Sequence, residues 1–168
     1  MKREAVLVII KPDGLNKGLI GEILSKFSKA RLQIVATRLT RATRPQAEKH
    51  YQHIQHTPFF KDTVRLLMGE FHRQKEILLI IYYGTNAIKK CRNIVGATNP
   101  EEASSRSIRG SYGRVTARGV FENVVHASSS TKEAVREIKL WFEPDDIVMD
   151  LYPTHTKILR IMKKRISR

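Results

Sequence analysis

The chain has 168 residues, 41% hydrophobic and 28% charged, which suits one domain with a real core and excludes a chain disordered over most of its length. Lys and Arg number 31 against 16 Asp and Glu, a formal charge of +15 that favours anionic partners such as nucleotides, phosphate esters, nucleic acid or acidic lipid. A single cysteine, Cys91, excludes an intrachain disulfide framework and any Cys-rich metal site.

Ala5–Ile10 is apolar and rich in β-branched residues, and it stops at Pro12-Asp13-Gly14; it reads as a buried strand followed by a turn. The short apolar stretch is followed by no small-residue cleavage site, and no run approaches the roughly 20 residues of a membrane span. A cytoplasmic protein is the expectation. From Gly18 to Ala30, Ile20, Ile23, Leu24 and Phe27 recur at helical spacing. Leu32–Thr40 alternates apolar and polar residues and reads as a half-exposed strand. Thr43 caps a helix with Pro45 in its first turn, running to Gln55. His56-Thr57-Pro58 interrupts it, and Phe59–Met68 forms another helix.

Ile77–Tyr83 is a second buried strand, and Asn86–Val95 a helix. Gly96–Val120 is polar, holds Gly110, Gly113 and Gly119, and has no clear period. It reads as one long loop of about 25 residues, a length that in compact domains is usually functional or disordered. Val124-Val125 makes a short strand, and Ser130 with Glu133 forms a capping box opening a helix to Trp141, which Pro144-Asp145-Asp146 ends. Lys157–Arg168 holds six basic residues and no acid. It reads as a helix packed on its own domain or on a subunit, with contact to polyanions as the sharper alternative. The alternation of strands and helices implies a single α/β or α+β layer with helices on one face of a small sheet.

Six histidines are present. His50, His53 and His56 drift around a helix with no carboxylate to complete a metal set, and read as a solvated face. His72 and His155 sit among polar residues and carry no signal. His126 stands at a strand end, before small residues and a capped helix N-terminus that favours an anion. Neutral imidazole can serve as nucleophile or base, and Glu137 on the next helix can orient one ring nitrogen. A buried, hydrogen-bonded structural histidine is the competing reading. Lys11, Arg92 and Arg109 supply cations of the kind a polyphosphate needs, although any one of them in so basic a chain can be plain surface charge. Gly14-Leu15-Asn16-Lys17-Gly18 lacks the Gly-Lys-Ser/Thr end of a Walker A loop, and no protein-kinase motif set is present.

Five motifs occur in order: Lys11-Pro12-Asp13-Gly14, Thr98-Asn99-Pro100, Ser107-Ile108-Arg109-Gly110, Asn123-Val124-Val125-His126-Ala127-Ser128, and Glu137-Ile138-x-Leu140-Trp141-Phe142. Together, over Ala5 to Phe142, they resemble the nucleoside diphosphate kinases. The resemblance implies an α/β (α+β) domain of the ferredoxin-like βαββαβ type over residues 1–153, with a four-stranded antiparallel sheet and helices on its faces. Residues 154–168 are then a basic C-terminal extension. It implies γ-phosphoryl transfer from a nucleoside triphosphate (ATP) to a nucleoside diphosphate by a ping-pong route, with His126 as the pros-phosphohistidine. Glu137 and Ser128 match the residues that hold and orient that histidine. Lys11, Tyr51, Arg92, Thr98 and Arg109 match the residues around the phosphates, Asn123 with the lysine the sugar contacts, and Phe59 the base-stacking ring. Mg2+ is implied on the nucleotide phosphates, with no direct protein ligand, and the family assembles as homo-oligomers, hexamers or tetramers.

The chain departs from the family pattern where Ser129 replaces an acid, where Ser111-Tyr112 replaces Asp-Phe, and where Thr63 replaces a Leu near the stacking ring. Two segments are longer than usual: Gly110 to His126, including Arg114 and Arg118, and Gly69–Glu76. The competing class is a basic nucleic-acid-binding module on a similar sheet, because Arg109-Gly110-Ser111-Tyr112-Gly113 faintly matches an RNA-recognition signature; an active kinase with added polyanion binding is the mixed case.

Overall fold

The computed structural model describes residues 2–156, so the basic stretch Lys157–Arg168 lies outside the described residues. Four strands form the main sheet: β1 (Arg3–Ile10), β2 (Gln33–Arg41), β3 (Glu76–Thr85) and β6 (Val125–Ala127). Their order is β2-β3-β1-β6, with every pairing antiparallel. That is the ferredoxin-like arrangement. Two two-residue strands, β4 (Arg114–Val115) and β5 (Phe121–Glu122), make a separate hairpin.

Val6–Ile10 of β1 is buried throughout, so both sheet faces are covered. Val6, Val8 and Ile10 pack with Ile23 and Phe27 of α2 (Ile20–Ser28) and with Ile88 and Cys91 of α5 (Ala87–Val95). Leu7 and Ile9 face the other way, into Ala47 of α3 (Arg44–His50), Val64 and Leu67 of α4 (Phe60–Leu67), and Ile138 and Trp141 of α7 (Thr131–Trp141). Helices therefore lie on both faces, not on the single face that element alternation suggests. A strand buried on both sides has no polar alternation, which is why β1 and β3 read as unbroken apolar runs.

Other expectations are corrected in detail. Pro12-Asp13-Gly14 is not a free turn but the first part of a short helix, α1 (Pro12–Asn16). The helix after Thr43 is shorter than its pattern: α3 ends at His50 and a 3-10 turn follows at Gln52–Ile54. Thr43 accepts from Gln46 N and makes a full capping box. At α7 only half of the expected box forms: Ser130 accepts from Glu133 N, while the Glu133 carboxylate pairs with Arg136. Gly96–Val120 is not structureless; it contains α6 (Ile108–Tyr112), capped by Ser107, and β4. The RNA-like signature Arg109–Gly113 thus falls on a helix, not on a strand that could present aromatic rings to bases. Among the described residues no helix is long and apolar enough to cross a membrane.

Candidate active site

β6 lies beside the C-terminal end of β1, pairing Ile9 with His126. Entry to β6 is tightly held. Val124 has a left-handed backbone (φ 55°), an uncommon state for a β-branched residue. Its N–H donates to Asp13 Oδ2 at 2.8 Å, and its carbonyl accepts from Lys11 N at 2.9 Å. Gly14 leaves room for this: a Cβ there would meet the Val124 carbonyl oxygen at 2.9 Å. The Pro-Asp-Gly segment therefore acts as a brace two residues from His126. By themselves these residue types signal only a turn.

His126 Nε2 lies 3.0 Å from Glu137 Oε2, and Ser128 Oγ donates to the same oxygen at 2.5 Å. Ser128 Oγ in turn accepts from Leu7 N at 3.2 Å, tying the group to β1. Ser128 and Glu137 are buried. Burial pushes the Glu137 carboxyl up, but the charge and hydrogen bond of His126, with His50 and Ser128, outweigh it and bring it down to about 2. Glu137 is therefore an ionised acceptor. An ionised carboxylate can only accept, so Nε2 carries a proton, and in the neutral ring the lone pair is then on Nδ1.

His50 is the main correction. It is not on a solvated face; its ring is fully buried and meets the His126 ring edge-on, with centroids 4.5 Å apart. Trp141 Nε1 donates to His50 Nδ1 at 3.3 Å. Burial, then the His126 charge, holds the His50 imidazole well below its usual range, so it is neutral with its proton on Nε2. His50, His126 and Glu137 present nitrogen and oxygen atoms close enough together for a metal. The Trp141 bond argues against that use: it occupies Nδ1 and leaves Nε2 protonated, without a lone pair to give. The i, i+3, i+6 histidine spacing carried no sign of this burial, because the helix ends at His50.

A cavity of about 370 Å³ opens in front of His126. Lys11, Tyr51, Phe59, Thr98, Arg109 and Asn123 line it together with His126, although they come from separate stretches of chain. Lys11 is buried at the end of β1; desolvation lowers its pKa, while Asp13 and Glu122 raise it again. Arg109 is held by α6, donating to Val125 O from Nε and Nη2 at 3.2 and 3.0 Å and to Gly96 O from Nη1 at 3.2 Å. Burial brings it down to about 10, which leaves it charged at neutral pH. Burial pushes the Tyr51 phenol up, so it is a neutral donor. Asn123 Nδ2 donates to Thr98 O at 2.8 Å. Phe59, at the N-cap of α4, is half exposed at the cavity mouth, and Thr63 one turn on lines the same cavity. Arg92 is not brought into this lining. It is exposed on α5, beside a groove shared with Ser129 and Ser130, near enough for its charge to act on Arg109.

A fixed-tautomer imidazole at the floor of a cavity bearing buried Lys and Arg, with an aromatic ring at its mouth, is a site built for phosphoryl transfer from a nucleotide. The sequence profile of the family "Nucleoside diphosphate kinase" matches residues 4–147. A nucleoside diphosphate kinase of Legionella pneumophila (strain Lens) is 42% identical over 147 residues, covering 88% of this chain and 98% of the relative. One of Archaeoglobus fulgidus is 40% identical over 145 residues, covering 86% and 90%. The Borrelia burgdorferi enzyme, solved as a transition state mimic with bound vanadate and ADP, superposes with a TM-score of 0.77 at 28% identity, over 86% of this chain and 90% of that one. The chain belongs to the nucleoside diphosphate kinase family.

Proposed function

We propose that the chain transfers the γ-phosphoryl group of a nucleoside triphosphate to a nucleoside diphosphate in two half-reactions, with His126 Nδ1 as the carrier. The observation that carries this reading is the engagement of Nε2 with Glu137, which leaves Nδ1 as the free nitrogen. In the first half-reaction the Nδ1 lone pair attacks the γ-phosphorus. An N–P bond forms, the P–O bond to the β-phosphate breaks, and the nucleoside diphosphate leaves with the electron pair. The Nε2 proton stays in place, and Glu137 stabilises the positive charge that grows on the ring. In the second half-reaction a β-phosphate oxygen of the acceptor attacks the same phosphorus and the N–P bond breaks. No separate base is required, because neutral imidazole attacks without first losing a proton.

Lys11, Arg109, Tyr51 and Thr98 hold the phosphates in this reading, joined by Arg92 when polyphosphate brings it inward; Ser128 and Glu137 orient the histidine. Asn123 and Lys11 take the sugar hydroxyls, and Phe59 stacks on the base through its π face, which suits broad base tolerance. Among the described residues the cavity lining holds two cations, Lys11 and Arg109, and one carboxylate, Asp62, so it fits Mg2+ carried by the nucleotide phosphates and not by a protein cage. Bound there, the ion neutralises charge on the phosphates.

Residues 1–153 form the catalytic unit and 154–168 a basic C-terminal extension. The unit assembles as a homo-oligomer, hexamer or tetramer; β2 is a sheet edge with Ile34 and Leu39 exposed, a surface a second copy can cover. Incubation with γ-labelled ATP tests the central step: the label is expected on His126, acid-labile and base-stable. A folded protein that takes up no label refutes the reading.

A further inference from the structure

We propose that Glu122 is a positioning residue for the nucleotide cavity: it ties the turn before β3 to the β4–β5 hairpin and so fixes the cavity wall made by Gly119, Val120 and Phe121. The inference rests on the phosphotransfer reading above and concerns the two segments in which this chain is longer than its family pattern.

The hairpin cannot hold itself. Its ladder is two residues long, Arg114 with Glu122 and Val115 with Phe121, and isolated hairpins of this size are unstable in water. Its turn adds local bonds only, Thr116 N to Val120 O and Gly119 N to Thr116 O. Yet Gly119, Val120, Phe121 and Asn123 line the cavity. Glu122 lies between Phe121 and Asn123, and it is buried. Two cationic or potentially cationic partners meet it from opposite sides. Arg114 Nε, across the ladder, lies 2.5 Å from Oε2. His72 Nε2, from the turn before β3, lies 3.5 Å from Oε1, in ion-pair range but not hydrogen-bonded; its side chain is nine-tenths buried and that nitrogen has no hydrogen-bond partner. The turn that delivers His72 is built on Gly69, whose φ of 71° and close approach to Lys75 exclude a side chain.

The buried carboxylate thus joins the two extended segments, and the charges of Lys17 and Lys11 also act on it or feel it. A carboxylate placed only to fill space costs desolvation that an apolar residue would not. Here it holds a wall in place and lends negative charge near Lys11, a cavity cation.

The test is steady-state kinetics and equilibrium nucleoside diphosphate binding on the full chain. Glu122→Gln is expected to raise KM and Kd for a nucleoside diphosphate about tenfold with kcat within twofold. His72→Phe is expected to do the same, and His72→Gln, which keeps an N–H donor, to restore most of the affinity. Unchanged KM and Kd in folded Glu122→Gln, or a loss in kcat alone, overturns the proposal. If Glu122→Gln does not fold, His72→Phe decides, because it leaves the Arg114 pair intact: raised KM supports the proposal and unchanged KM refutes it. Labelling of His126 by γ-labelled ATP in the wild type separates the two readings. A labelled protein with insensitive variants refutes only the role of Glu122.

Discussion

Trp141 Nε1 donates a hydrogen bond to His50 Nδ1, and through that bond an indole on α7 sets the protonation pattern of a ring packed against His126. An indole N–H can only donate, so the neutral His50 keeps its proton on Nε2. Trp141→Phe is expected to free that pattern and to leave His50 Nδ1 buried without a donor. The destabilisation is about 1–3 kcal/mol, read by urea unfolding. Stability equal to wild type would show that the bond contributes nothing.

Glu137→Gln keeps the shape but supplies a neutral oxygen to His126. The rate of His126 labelling is expected to fall on the order of 10–100-fold, as for other groups that orient a reactive imidazole. Stability gives the second readout. The folded pKa of about 2 lies below the ordinary 4.5, so ionised Glu137 stabilises the fold above pH 4.5, and this contribution is lost as pH falls from there toward 2. The wild-type advantage over Glu137→Gln is therefore expected to be on the order of 3 kcal/mol at most and to shrink as pH falls below 4.5. An advantage that grew on acidification would contradict the assignment.

Asp13→Ala removes the acceptor for the Val124 N–H and leaves that group buried and unpaired. A stability loss of about 1–3 kcal/mol is expected, with slower His126 labelling because the left-handed residue that leads into β6 loses its brace. Chemical denaturation and single-turnover labelling check the two effects separately. Full labelling speed in a destabilised variant would reduce Asp13 to a purely structural part.

Phe59→Ala removes the ring at the cavity mouth, where half its surface is exposed. Base stacking is worth about 1–3 kcal/mol and uses the π face that every base has. KM is expected to rise about 5–100-fold for purine and pyrimidine diphosphates alike. A loss confined to one base would show an edge contact in place of stacking.

Deletion of Lys157–Arg168 removes six cations. Binding to polyanions is expected to weaken and its salt dependence to flatten, while nucleotide exchange continues at the wild-type rate. Binding titrations across ionic strength read the first effect. An unchanged slope would remove the tail from the polyanion reading.

The ferredoxin-like fold, the family and the candidate site residues come from the resemblance that five ordered motifs carry, while composition and periodicity suffice for the strands β1 and β3 and the helix starts. They suffice because local spacing is dictated by backbone geometry: burial on both faces makes unbroken apolar runs, and a capped N-terminus needs Thr43 or Ser130 where they stand. What spacing could not decide is which side chains meet across the sheet. His50 looked solvent-facing because its neighbours His53 and His56 are; only the end of α3 and the approach of Trp141 turn it inward. His72 looked silent, and Asp13 looked like a turn residue, because the partners of each, Glu122 and the Val124 N–H, lie far along the chain. The family resemblance implies the pros nitrogen, Nδ1, as the reacting one; the physical reason for it is a tertiary contact, Nε2 against Glu137. A ring nitrogen's proton is set by what touches the other nitrogen, and that neighbour arrives only when β6 and α7 close on each other.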